Sequence, residues 1–179
     1  VLSSGNVSAT GVGSAGIVAQ GQDALVVNGG IVTGGPCCGA VMLGASDTAV
    51  LLNFGSIVGN NTGEAIYAAG NDVLVENFGT VTGDVVLFGI SAVFNNHAGA
   101  LFNSGAVDAT DVFNYGTMSP GGTGLLQPTA IDGNFTQGET GRLAIELLGA
   151  GGYSDQVMVS GTAALAGDVV VSMLAPPVD

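Results

Sequence analysis

Apolar runs of three to five residues, broken by Gly- and Asn-rich turns, recur along this chain in groups of three. In one group Ala40-Val41-Met42-Leu43 is followed by the turn Gly44-Ala45-Ser46-Asp47. Ala49-Val50-Leu51-Leu52 comes next, then Asn53-Phe54-Gly55, then Ser56-Ile57-Val58, closed by Gly59-Asn60-Asn61. The following group repeats the order with Ala65-Ile66-Tyr67, Val73-Leu74-Val75 and Thr80-Val81. Strands this short do not persist alone in water. Stacked about 4.8 Å apart, they bury a continuous column and satisfy one another's backbone groups. The pattern therefore predicts an all-β fold, a right-handed parallel β-helix with three faces per turn.

A box of the form Asn-x-Gly-x-Val/Ile marks one corner of each turn. It stands at Asn28-Gly29-Gly30-Ile31-Val32, Asn53-Phe54-Gly55-Ser56-Ile57 and Asn77-Phe78-Gly79-Thr80-Val81, with spacings of 25 and 24 residues. Looser copies begin at Asn103 and Asn114, and from Asn95 onward the spacing tightens. Asn28, Asn53, Asn77, Asn103 and Asn114 are expected to align as an amide ladder along the axis. Phe54 and Phe78, with Tyr115 later, are expected to stack beside it.

At Ser119-Pro120-Gly121-Gly122 the box stops. The chain beyond it alternates with period two, as in Leu143-Ala144-Ile145-Glu146-Leu147 and in residues 168–174. A solenoid needs protection at its terminal edge. Residues 1–119 read as the repeats, 120–175 as a C-terminal β cap and 176–179 as a linker. Leu143, Ile145, Leu147, Val157 and Val159 are the expected inward face of the cap, and Leu25 and Val26 belong to an outer rung.

Composition sharpens this picture. Gly is 32 of 179 residues, yet 47% of the chain is hydrophobic, which excludes a disordered low-complexity segment. Fourteen acids face Arg142 alone, for a net charge of −13. Phosphate neutralisation is out of reach, which excludes nucleic acid and anionic membrane surfaces as electrostatic partners. The exposed coat is expected to consist of Ser, Thr, Asn, Gly and Asp. Mean hydropathy is +0.57, but every apolar run is interrupted before the 18 residues or so that a spanning helix needs. No basic n-region precedes an apolar segment at Val1, so the expectation is that a signal has been removed, that this is an excised piece of a longer chain, or both. Cys37 and Cys38 are adjacent. They are either two thiols, one facing the core, or a strained vicinal bridge.

Candidate chemistry is sparse, and no cofactor is expected. Asp23, Asp47 and Asp72 precede their Asn by five, six and five residues. They are weak candidates for a carboxylate ladder around a cation such as Ca²⁺, set against solvated turn acids. Asp108 and Asp111 are the nearest pair for a polysaccharide-active β-helix, with Arg142 its only cation. His97, beside Asn95, Asn96 and Gly99, reads as a turn residue. Thr33, Thr80 and Thr82 do not repeat regularly enough for an ice-binding ladder.

The last third carries four blocks in a recognisable order: Gly116-Thr117-Met118-Ser119-Pro120-Gly121; Ile131-Asp132-Gly133-Asn134-Phe135-Thr136-Gln137; Gly141-Arg142-Leu143-Ala144-Ile145-Glu146-Leu147; and Ser154-Asp155 through Val159, Gly161 and Leu165 to Gly167. This stretch resembles the end of the passenger domains of classical autotransporters, secreted by Gram-negative bacteria. Within the blocks Gly133, Asn134, Asp155 and Gly161, with Leu143 and Ile145, are the expected structural positions. The resemblance implies a non-catalytic β-helical stem with an autochaperone-like end that templates the folding of the other rungs. It also implies export across the outer membrane to the cell surface or medium, in the service of adhesion, self-association or display. The implied partners are the passenger's own membrane β-barrel, absent from this chain, further copies meeting at the solenoid edges, and a host or surface ligand.

Overall fold

The computed structural model describes residues 1–36, 38–59, 64–149 and 152–174. Cys37 and the expected linker at 176–179 lie outside the described residues, and so does the question of a Cys37–Cys38 bridge; Cys38 is half-buried. Among the described residues there are strands and turns and no helix, hence none long and apolar enough to cross a membrane. The chain is an all-β parallel solenoid of about seven turns.

Three columns of strands make up its faces. The first runs through Ile17–Gly21, Val41–Ala45, Glu64–Ala69 and Asp84–Phe88. The second runs through Ala24–Asn28, Thr48–Asn53, Asp72–Asn77 and Ser91–Asn96. The third, of shorter strands, runs through Ile31–Thr33, Ser56–Val58, Thr80–Thr82 and Leu101–Asn103. All these pairs are parallel, and a register shift interrupts only the start of Asp84–Phe88. The groups of three apolar runs in the sequence are therefore the three faces of successive turns.

Farther along, two long strands each cover the first and second faces together. Ala106–Asn114 and Pro128–Gln137 pair in parallel, with a register shift between Asp108 and Asp111 where the face changes. The expected boundary at 119/120 falls on the irregular stretch 119–127. Beyond it the same three columns resume, in Pro128–Gln137 and Arg142–Leu148, then in Gln156–Val159, Ala163–Leu165 and Asp168–Leu174. Only Tyr153–Ser154 runs antiparallel, against the end of Arg142–Leu148.

The core is a stack of like positions. Val26, Leu51, Val75, Phe94, Val112 and Phe135 follow one another inward on the second face. Val32, Ile57, Val81, Phe102, Met118 and Leu143 do so on the third. Leu143 is buried, while Ile145, Val157 and Val159 pack half-buried against the core. Period two fails in Arg142–Leu148, because Glu146 is buried at 6% exposure where Ile145 and Leu147 were expected to share the inside. In Asp168–Leu174 the register partners of Leu143, Ile145 and Leu147 are Val169, Val171 and Met173, and all three are exposed. No described strand stacks beneath them.

Strand lengths hardly change from turn to turn; the corner leading into the first face does. It takes residues 34–40 in one turn, Gly83 alone in another, and 119–127 near the end. Gly83 makes its one-residue corner at φ +118, a conformation other residues rarely adopt. This corner shortens the interval between equivalent Asn residues from 25 to 19.

Candidate functional site

The most ordered polar feature is the ladder at the end of the second face. The Asn28 amide donates to Asn53 Oδ1 at 2.9 Å, Asn53 to Asn77 at 2.8 Å, Asn77 to Asn96 at 2.8 Å and Asn96 to Asn114 at 2.8 Å. Asn114 donates to Gln137 Oε1 at 3.3 Å, and Gln137 in turn to the Ala166 carbonyl at 2.6 Å. Each rung's amide also reaches a backbone carbonyl of the next turn, as Asn53 reaches Thr80 at 3.0 Å. These side chains are buried, and a buried amide must find partners for all its polar atoms. Stacking identical amides satisfies each one with its neighbour. The x-Gly of the box has a steric cause: a Cβ on Gly55 would strike the Gly30 carbonyl, and one on Gly79 the Gly55 carbonyl.

Asn103 is not a member, contrary to expectation. It ends a third-face strand, half-buried, with its amide 3.4 Å from the Thr82 hydroxyl. The missing rungs are Asn96 and Gln137. The signal for Asn96 was the doubled Asn95-Asn96, of which the second continues the strand end.

Outside the ladder Phe54 and Phe78 stack as expected, with centroids 5.0 Å apart and planes 7° off parallel. The next ring is His97, 4.0 Å from Phe78. Tyr115 pairs instead with Phe113, at 6.4 Å. His97 lies after the strand end, as expected of a turn residue, and its Nε2 bonds the Glu76 carboxylate, whose other oxygen accepts from Asn95 at 2.9 Å. Among the described residues this is the one acid–base pair within salt-bridge range.

The aspartates do not form the ladder considered for a cation. Thr48, not Asp47, is the register partner of Asp72, and Asp23 precedes Ala24, which pairs with Ala49. The six-residue offset of Asp47 from its Asn moves it one place out of line, so no column of like charges has to be neutralised. All three are exposed, and no cluster of three or more metal-ligating side chains occurs among the described residues.

Asp108 and Asp111 sit either side of the register shift between the first and second faces. Asp111 accepts from Asn134 at 3.1 Å, while Arg142 stands on the third face between Thr117 and Asp168. The structure does not bring Arg142 to the pair. Asn134 also accepts from Thr162 N–H at 3.0 Å and hydroxyl at 2.9 Å, tying three turns together. Gly133 holds φ +142 where a Cβ would meet the Ala109 carbonyl, and a Cβ on Gly161 would press on Asn134 Oδ1.

Asp155 and Glu146 form a clasp near the C-terminal end. Asp155 Oδ1 accepts the Gln127 N–H at 3.0 Å and Oδ2 the Glu146 N–H at 2.8 Å. Glu146 Oε2 accepts the Gly124 N–H at 2.7 Å. Two buried carboxylates thus hold the irregular stretch 119–127 onto the strands. On the first face, burial first and then the facing Asp84 push the Glu64 carboxyl above its usual range.

The outer surface departs from the polar coat expected of it. Outward positions of the second face carry Leu25, Val50, Leu74 and Val93 in one column, with Val27 and Leu52 beside them. Those of the first face carry Val18, Met42, Tyr67 and Val86. Parallel pairing places the same side-chain parity in line at each turn, and these sequences are apolar at both parities. Compared with known proteins, the chain matches no family model, no curated protein and no solved structure.

Proposed function

We propose that this chain is a non-catalytic stem of an exported surface protein, which holds an adhesive or displayed region away from the cell and starts the folding of the solenoid from its C-terminal end. The observation that carries the reading is the continuous amide ladder from Asn28 to Gln137, with every link between 2.8 and 3.3 Å. A ladder that spans the stack couples each turn to the next and gives a stiff rod. The four C-terminal blocks, which resemble those of autotransporter passengers, add the direction of folding and the route of export. Their residues include the Asp155 clasp and Asn134, which between them tie down the last turns. A single tryptic site in the whole chain, at Arg142 within a strand paired on both edges, suits long exposure outside a cell.

The test is labelling of intact cells that make the full protein, with antibodies raised against this chain. The expected result is surface label that added protease removes while a cytoplasmic marker stays intact. Label seen only after the cells are permeabilised overturns the reading.

A further inference from the structure

The second face carries an apolar strip in a chain of net charge −13. Leu25, Val50, Leu74 and Val93 follow one another in register along its outside. Leu25 is 52% exposed and the other three are half-buried. Carboxylates bound the strip: Asp23 and Asp72 at the start of its strands and Asp111 below Val93, in the next turn. On the opposite side Val27 and Leu52 stand in register with Glu76 and Asn95, and the exposed edge of the Phe54–Phe78 stack lies beyond them.

We infer that this strip is a docking site for a short cationic amphipathic polypeptide segment, apolar residues seating on the leucine and valine column and Lys or Arg reaching the carboxylate rim. Charge and size select this occupant over a second copy. Another copy brings −13 of like charge, with Arg142 as its only Lys or Arg side chain. Four turns at about 4.8 Å by the three residues between Asp72 and Glu76 at about 3.3 Å each give a strip of roughly 200 Å², against about 800 Å² per partner in a standard protein interface. That footprint matches one face of a helix about 10 Å wide or one extended strand. Polar and acidic residues end it on the C-terminal side, where Asp111 and Asn134 replace the apolar column.

Two labelled 14-residue peptides of equal positive charge test this with the full chain, one of Leu and Lys in an amphipathic pattern, the other of Ser and Lys. At about 0.15 M salt, where surface charges beyond about 8 Å are screened, the Leu/Lys peptide is expected to bind at least about tenfold tighter. The double variant Val50→Thr, Leu74→Thr puts β-branched residues, which suit strands, at both positions and is expected to lose that advantage. Asp23→Asn with Asp72→Asn, both exposed and outside the core, is expected to weaken binding and flatten its dependence on salt. Equal binding of the two peptides reduces the effect to the general field of the chain and overturns the site. So does a Thr double variant of unchanged thermal midpoint that binds as the parent does. A dimer in sedimentation that the Thr variant abolishes would instead identify a second copy as the occupant, and the inference fails.

Discussion

At the scale of single residues the ladder makes a sharp distinction between two asparagines that look alike in sequence. Asn77 is fully buried between Asn53 and Asn96, whereas Asn103 is half-buried on another face. Asn77→Ala strands the Asn96 carbonyl oxygen inside the core and takes from the Asn53 amide its shortest contact, leaving it the Gly55 and Thr80 carbonyls. An unsatisfied buried polar group costs about 1–3 kcal/mol, and one arises here, at the Asn96 carbonyl oxygen. Asn103→Ala loses one long contact near solvent and is expected to cost well under about 1 kcal/mol. Urea unfolding of the two variants decides it, and equal midpoints would mean that the ladder does not stabilise the fold. Glu64 supplies a second prediction, with a definite sign. Its folded pKa is raised, chiefly by burial and then by Asp84, so the folded state binds its proton more tightly than the unfolded chain does. Its contribution is fully present below the unfolded pKa of about 4.3 and is lost as pH rises through the folded value. Glu64→Gln removes the titration. The variant is expected to gain stability over the parent at neutral pH and to lose that gain at pH 4 and below, read from unfolding midpoints across pH. A difference that does not vary with pH sinks the argument.

Among the elements, the strands were legible in the sequence and the corners were not. The apolar runs within residues 40–58 and 65–81 sit on the observed strands, because a short apolar run bounded by Gly and Asn turns leaves its mark locally. The ladder was legible only where the turn length stays fixed. Asn28, Asn53 and Asn77 share near-constant spacing, but Asn96 follows the single-residue corner at Gly83 and falls 19 residues on. Asn103-Ser104-Gly105 imitates the box because strand ends on the third face also turn on Asn and Gly. The clasp was half legible: Asp155 and Glu146 both stood in recognisable blocks, but Glu146 looked like an outward residue in a period-two strand. Its burial depends on the stretch 119–127, which folds over it and offers the Gly124 N–H. That contact is 22 residues distant and has no local trace. Asp155→Ala should therefore act on a loop it does not belong to. Losing a charged acceptor shared by two N–H groups is expected to cost about 1.5–3 kcal/mol. Hydrogen exchange should speed up at Gln127 and Glu146 while core amides such as that of Leu51 stay protected. Unchanged exchange at Gln127 would show that the stretch is held by something else.

For the whole molecule the two ends differ, and the difference bears on how the stem folds. The last turn leaves Val169, Val171 and Met173 exposed beneath Leu143, Ile145 and Leu147, so a C-terminal nucleus has to be sought one turn earlier. There Pro128–Gln137 spans two faces in one strand, Leu143 closes the third, and the Asp155 clasp fastens the intervening stretch. At the other end Val26 is fully buried, whereas its neighbour Leu25 points outward and does not probe the core. Leu143→Ala, a buried truncation of about 2–5 kcal/mol, removes a large part of a typical stability of about 5–15 kcal/mol. A loss inside the nucleus slows folding, and a loss outside it mainly speeds unfolding. If rungs add onto a C-terminal template, Leu143→Ala should refold several-fold more slowly than the parent. Val26→Ala, compared at matched destabilisation, should refold at nearly the parent rate and unfold faster. Stopped-flow refolding of both variants separates the cases. Equal refolding rates would make the C-terminal turns ordinary members of the stack, each stabilised only by its neighbours, and would leave the solenoid free to start from any point along its length.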